Sequence, residues 1–140
     1  MDLVKAFDKV NRSVLFEKLL SRHCPHKLVR ILEGWYNKSF TSVSWCRKLS
    51  SPVLLQADLR QGSVFSPVLF SIYVNDILLQ LEKSKLGCNV RFLYVNVFMY
   101  ADDLLFVSST IKDLQLMIDI CIQELDKLDM CVNIKKSRLV

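Results

Sequence analysis

Asp102 and Asp103 are the residues of this chain best placed to do chemistry, because the two adjacent carboxylates interrupt two apolar runs, 97–101 and 104–107. Runs rich in Val, Phe, Tyr and Leu suit a buried pleated surface, and charges between them fall where the chain must reverse. The pattern predicts a β-hairpin with acids at its turn. Successive side chains on a strand point to opposite faces, so one aspartate can address a given site fully while its neighbour serves at longer range. A carboxylate beside an apolar sheet loses hydration unless a cation neutralises it. Hard oxygen donors with no His or Cys nearby favour Mg²⁺ or Mn²⁺ over zinc. Taken alone, an Asp-Asp pair is more simply turn chemistry facing solvent.

Other stretches shift that balance. Residues 2–10 read Asp2-Leu3-Val4-Lys5-Ala6-Phe7-Asp8-Lys9-Val10, and residues 59–70 carry Arg60-Gln61-Gly62 followed by Ser66-Pro67 and Leu69-Phe70. Then come Tyr100-Ala101-Asp102-Asp103 and, near the end, Asn133-Ile134-Lys135-Lys136-Ser137. In this order the four blocks resemble the motifs of reverse transcriptases. The Ala6-Phe7-Asp8-Lys9-Val10 phrase and the spacing from Trp45 to Arg60-Gln61-Gly62 most resemble those of non-LTR (LINE-type) retrotransposons.

The resemblance implies an α+β polymerase palm: an antiparallel sheet with helices packed on one face and a catalytic β-hairpin. Residues 1–140 would be a partial palm domain, with fingers and thumb absent. The implied activity is RNA-directed DNA polymerisation, with an RNA template, a DNA primer and deoxynucleoside triphosphates as partners. Asp2 and Asp102 would be catalytic metal ligands and Asp103 the secondary carboxylate, holding two Mg²⁺ (or Mn²⁺) about 3.5–4 Å apart. Phe7 would lie against the sugar of the incoming nucleotide and exclude a 2′-hydroxyl; read from the residues alone, it is equally a core aromatic at a strand–helix junction. Arg60, Gln61 and Gly62 would help hold the template–nucleotide pair, Arg60 through charged donors and Gly62 through close backbone approach. Lys136 would stand near the nucleotide phosphates. The alternative is a catalytically inactive retrotransposon remnant that folds but at most binds nucleic acid weakly. Another palm-like metal enzyme, such as a nucleotide cyclase, would explain the acidic hairpin but not Arg60-Gln61-Gly62 with Ser66-Pro67.

The elements that must position these residues are legible to different degrees. At 140 residues and 51% hydrophobic content the chain can bury one sizeable core, and one domain is expected. A net charge of +5 and a pI near 9.0 suit an anionic partner, although the basic residues are spread along the chain. Five cysteines without a C-x-x-C spacing argue against a zinc knuckle or disulfide framework and fit reduced thiols in an intracellular protein. No apolar run approaches the roughly 18 residues of a membrane span.

Helical periodicity covers 11–22 behind an Asn/Ser start signal, and roughly 27–36, with Leu28, Val29, Ile31, Leu32 and Trp35 as expected core positions. His23, Cys24 and His26 read as loop residues. Two short strands are expected at 41–45 and 53–57, joined through the basic pair Arg47-Lys48, which suits a phosphate backbone or bulk solvent. Ser66 is the expected cap of a helix beginning with Pro67 and apolar nearly all round. Residues 84–87 are a turn, 90–97 lead into the hairpin, and 111–128 form an amphipathic helix covering one sheet face after a cap at 108–110. Residues 130–132 are a short strand.

Overall fold

The computed structural model describes residues 1–55, 59 and 63–138. Four helices carry most of the core. Helix α1 (Arg12–Ser21) starts where expected, with the Asn11 side chain accepting from the backbone N–H groups of Ser13 and Val14, which satisfies donors left over at a helix start. Helix α2 (His26–Asn37) follows Pro25. The long α3 (Ser66–Ser84) runs against both α1 and α4 (Ile111–Asp126). Between them lie Leu15, Phe70, Tyr73, Ile77, Met117 and Cys121, all at most 1% exposed. Thr110 caps α4 by accepting from the Asp113 N–H at 3.0 Å.

Three helix expectations are corrected. Ser66 does not cap α3: Phe65 stands at the cap position with a helical backbone, and Ser66 is already inside the first turn, its N–H donating to the Ser63 carbonyl. Nor is α3 buried all round, since Val68 and Leu79 are exposed while the opposite side fills the core. In α2 only Val29, Leu32 and Tyr36 face inward; Leu28, Ile31 and Trp35 are exposed. A helix packed on one neighbour can bury one stripe, and the periodic apolar residues here exceed that stripe.

The strands are short and antiparallel, and among the described residues they form four separate two-stranded sheets in place of the one sheet expected, still an α+β architecture. In the central hairpin, β7 (Val97–Tyr100) pairs with β8 (Asp103–Phe106) in the register Tyr100 opposite Asp103 and Met99 opposite Leu104. Leu104 is buried and α4 lies against β8, so a helix does cover one side of this hairpin. A second hairpin, β5 (Cys88–Val90) with β6 (Leu93–Val95), occupies the stretch expected only to lead into the first. Gly87, at φ 147°, lets the chain turn there, because an added Cβ would stand 2.5 Å from the Val95 carbonyl oxygen. Further upstream, β1 (Phe40–Thr41) pairs with β4 (Val53–Leu54), and inside them β2 (Ser44–Trp45) pairs with β3 (Lys48–Leu49). The expected connection through Arg47-Lys48 is therefore partly strand. The 56–57 end of the expected second strand lies outside the described residues.

Candidate active site

Tyr100 pairs with Asp103 across a loop of only two residues, Ala101 and Asp102. Ala101 takes φ 52° and Asp102 does not take positive φ, the pattern of a type II′ turn. That conformation follows the twist of the strands but favours glycine, so an alanine here is held at a cost. Strain of this kind concentrates at functional sites.

The first four residues run beside β8. The Met1 amino group donates to the Leu104 carbonyl at 2.6 Å, and the Leu104 N–H donates back to Met1 at 2.8 Å. These bonds flank Asp2 and Asp103, which stand opposite each other as a bridge pair. Such a non-hydrogen-bonded pair brings side chains closest, typically with Cβ atoms about 4.5–5.5 Å apart on one face of the sheet. Leu3 and Leu104 are buried on the core side, so alternation turns Asp2 and Asp103 to the other side. Asp102, half-buried at the turn, is adjacent. The residue facing Asp2 directly is thus Asp103, expected to be the secondary carboxylate.

The segment after α4 closes the opposite flank. Leu3 bridges Val132; the Val4 N–H donates to Cys131 at 2.9 Å and the Asn133 N–H to Asp2 at 2.8 Å. The Asp2 N–H donates to Ser137 Oγ at 3.3 Å, while that hydroxyl donates to the Asn133 carbonyl at 2.8 Å. The Asn133 to Ser137 block therefore holds both backbone polar groups of Asp2. It also brings Lys136 to the site, with Nζ 3.7 Å from Asp2 Oδ2.

That contact is too long for a hydrogen bond, and Asp2 Oδ2 is buried with no hydrogen-bond partner. A buried carboxylate oxygen with no hydrogen bond is costly, and the Lys136 ammonium 3.7 Å away offsets only part of that cost. It is the kind of atom a bound cation would satisfy, and carboxylate oxygens suit Mg²⁺ or Mn²⁺. Among the described residues no three His, Cys, Asp or Glu side chains are gathered into a ready-made metal group. The Asp2–Asp103 pair supplies oxygen donors of the kind that suit a divalent ion, and Asp102 is the next residue in the chain.

Phe7 begins a short 3₁₀ turn (Phe7–Lys9). It is half-buried, with its ring 4.8 Å from the fully buried Phe70 ring at 35°. Its carbonyl accepts from the Leu59 N–H at 2.9 Å. Arg60, Gln61 and Gly62 lie outside the described residues, but Leu55 and Leu59 before them are held in place. Leu59 is fully buried, and the Leu55 N–H donates to Ser39 at 2.9 Å.

Arg12, a functional residue with no motif to mark it, completes this anchorage. It is only 8% exposed; Nη1 donates to the carbonyls of Tyr36 (3.1 Å) and Leu55 (2.7 Å), and the guanidinium lies 4.9 Å from the Tyr36 ring centre. No sequence signal separates this arginine from an exposed one on a helix. Tyr73 is another buried polar group: its hydroxyl accepts from the Asn11 N–H at 3.3 Å. Burial pushes the phenol pKa up, the Asn11 bond opposes this, and Asp129 adds to the rise.

Comparison with known proteins matches residues 1–140 to the family described as reverse transcriptase (RNA-dependent DNA polymerase). The chain belongs to the reverse transcriptase family. It is similar to the Pol polyprotein of the type-2 retrotransposable element R2DM of Drosophila melanogaster, 29% identical over 119 residues, covering 85% of this chain and 11% of that protein. It is likewise 29% identical over 140 residues to the Pol polyprotein of the type-1 retrotransposable element R2 of Bradysia coprophila, covering 100% of this chain and 16% of the relative. These relatives bear out the resemblance to non-LTR retrotransposon enzymes. The chain spans less than a fifth of either polyprotein.

Proposed function

We propose that this chain is a polymerase palm, and that Asp2, Asp102 and Asp103 form the metal-dependent centre that adds deoxynucleotides to a DNA primer on an RNA template. The observation that carries this reading is the Asp2–Asp103 pair: residues 101 positions apart are set opposite each other on a sheet face, with an Asp2 oxygen buried without a hydrogen bond and only Lys136, 3.7 Å away, as its counter-charge. Two Mg²⁺ or Mn²⁺ ions held there would acidify the primer 3′-hydroxyl and steady the charge on the leaving pyrophosphate.

The chain's own groups have separable tasks. Asp103 projects from β8 toward Asp2, and Asp102 extends the acidic surface at the strained turn. Lys136, 71% exposed in its side chain and near Asp2, is free to swing toward the triphosphate. Phe7, with its ring backed by Phe70, excludes the 2′-hydroxyl of an incoming nucleotide. Arg60, Gln61 and Gly62 hold the template–nucleotide pair; of the described residues before them, Leu55 is bonded to Arg12 and Leu59 to the Phe7 carbonyl.

Primer extension on an RNA template with Mg²⁺ tests the reading. Extension by the parent chain, abolished in Asp102→Asn and Asp103→Asn, is expected; extension that survives both substitutions overturns it.

A further inference from the structure

The arm formed by β1 to β4 takes no part in the acidic site, and every residue from 40 to 54 is exposed. A two-stranded ribbon gains little stability alone, yet this one displays Trp45 at 78% exposure, Leu49 at 75% and Phe40 at 59%. Trp45 stands directly opposite Lys48, and the two residues between them, Cys46 and Arg47, close the tip. Both take positive φ, 47° and 62°, the type I′ pattern usually supplied by Asn-Gly. Arg47 is thus held at the tip of the ribbon in a conformation that disfavours it.

Charge decides what could cover this surface. Residues 34–57 contain Lys38, Arg47 and Lys48 and no acidic residue. A flat aromatic ring flanked by cations, without counter-charge, is the chemistry of a strand of bases and phosphates. At about 3.3 Å per residue, the six residues from Phe40 to Trp45 carry the tip roughly 20 Å outward.

We propose that the arm is a contact for single-stranded nucleic acid, with Trp45 stacking on a base and Arg47 and Lys48 pairing with phosphates. The inference deepens the polymerase reading by adding a strand-binding surface outside the aspartate site. It rests on that reading for its class of partner, but its test needs neither metal nor nucleotide.

Fluorescence anisotropy with labelled 20-nucleotide oligo(U) and oligo(dT), in EDTA and across a salt series, provides the test on the whole chain. Trp45→Ala should weaken binding about 5- to 150-fold, the range for losing one base stack. Arg47→Ala/Lys48→Ala should flatten the slope of log affinity against log salt by about 1.4, for two phosphates of a single strand. Lys83→Ala/Lys112→Ala, which removes the same charge outside the arm, should change neither as much. In a Trp35→Phe background the remaining Trp45 should be quenched on binding. Because Trp45, Arg47 and Lys48 are exposed, melting temperatures should stay level, which separates lost contact from lost fold. The two oligonucleotides report whether RNA or DNA is preferred. The proposal is overturned if the parent binds neither oligonucleotide, if the arm variants match the parent in affinity and salt slope, or if Trp45→Ala abolishes self-association in sedimentation while leaving oligonucleotide binding intact. Binding through the arm by a chain that never extends a primer would support this inference and sink the polymerase reading.

Discussion

Replacing Asp103 with Asn should stabilise the protein when no divalent ion is present, and the size of the gain follows from the strand register. Asp2 and Asp103 are opposed as a non-hydrogen-bonded pair, a geometry that puts Cβ atoms about 5 Å apart, and this spacing is taken as the scale for the two charges. Two like charges at that distance repel by about 0.8 kcal/mol at the dielectric constant of water and about 3 kcal/mol at an effective value of 20. Asp103 is exposed, which favours the lower figure, and Lys136, 3.7 Å from Asp2, offsets part of it. The expected gain is therefore about 0.5–1 kcal/mol, or roughly 2–3 °C in melting temperature for a chain of this size. Magnesium should reverse the order. At ten times its dissociation constant an ion that binds only the folded state adds about 1.4 kcal/mol, and the parent should gain this while Asp103→Asn gains much less. Thermal melts in EDTA and across a Mg²⁺ titration give both quantities. A variant less stable than the parent in EDTA, or the same Mg²⁺ increment in both, would refute the reasoning.

Other expectations follow from particular residues. Phe7→Val should cost about 2 kcal/mol, below the 3–5 of a fully buried Phe→Ala because Phe7 is half-buried, and should raise the ratio of ribonucleotide to deoxyribonucleotide incorporation; an unchanged ratio with both rates falling in parallel makes Phe7 a core residue only. Arg12→Met should lose about 1–3 kcal/mol by leaving the Leu55 carbonyl unpaired, the Tyr36 carbonyl keeping the Ser39 N–H, with faster amide exchange at Leu55 and Leu59 than in β8; uniform exchange would contradict the anchoring role. The Cys121 thiol, fully enclosed, is pushed up from 9.0 to about 12 by burial. Above pH 9 the unfolded chain loses this proton while the folded chain keeps it. Stability should then fall as pH rises through the 9 to 12 window, by up to about 1.4 kcal/mol per pH unit, and less steeply in Cys121→Ala; equal slopes in denaturant titrations would exclude Cys121 as the cause. Ala101→Val should cost about 1–2 kcal/mol, because a β-branched side chain resists the positive φ of the turn.

What could be read from the chain depended on whether the signal was local. The hairpin was legible because apolar runs flank the two acids, although its turn is Ala101-Asp102, one position earlier than expected, with Asp103 already in β8; α1 and α4 were legible because Asn11 and Thr110 announce their starts. The exposed Leu28, Ile31 and Trp35 were misread because periodicity reports an apolar stripe without its width or its partner. Ser66 misled because a good cap residue does not choose its position when the helix can start one residue sooner. The β5–β6 hairpin lacked an Asn-Gly signal, its turn being Arg91-Phe92 with Arg91 at φ 58°. The facing of Asp2 by Asp103 was out of reach, since register between segments a hundred residues apart is set by packing. Arg12 was invisible for the same reason: its acceptors are backbone carbonyls 24 and 43 residues away.

The central claim is that Asp2, Asp102 and Asp103 hold divalent ions, and counting bound Mn²⁺ by electron paramagnetic resonance tests it most directly. Titrating Mn²⁺ into the parent chain should show specific binding that Mg²⁺ competes away, and Asp2→Asn or Asp103→Asn should lose it while remaining folded. Mn²⁺ binding of the same stoichiometry and affinity in the parent and both variants would contradict the account.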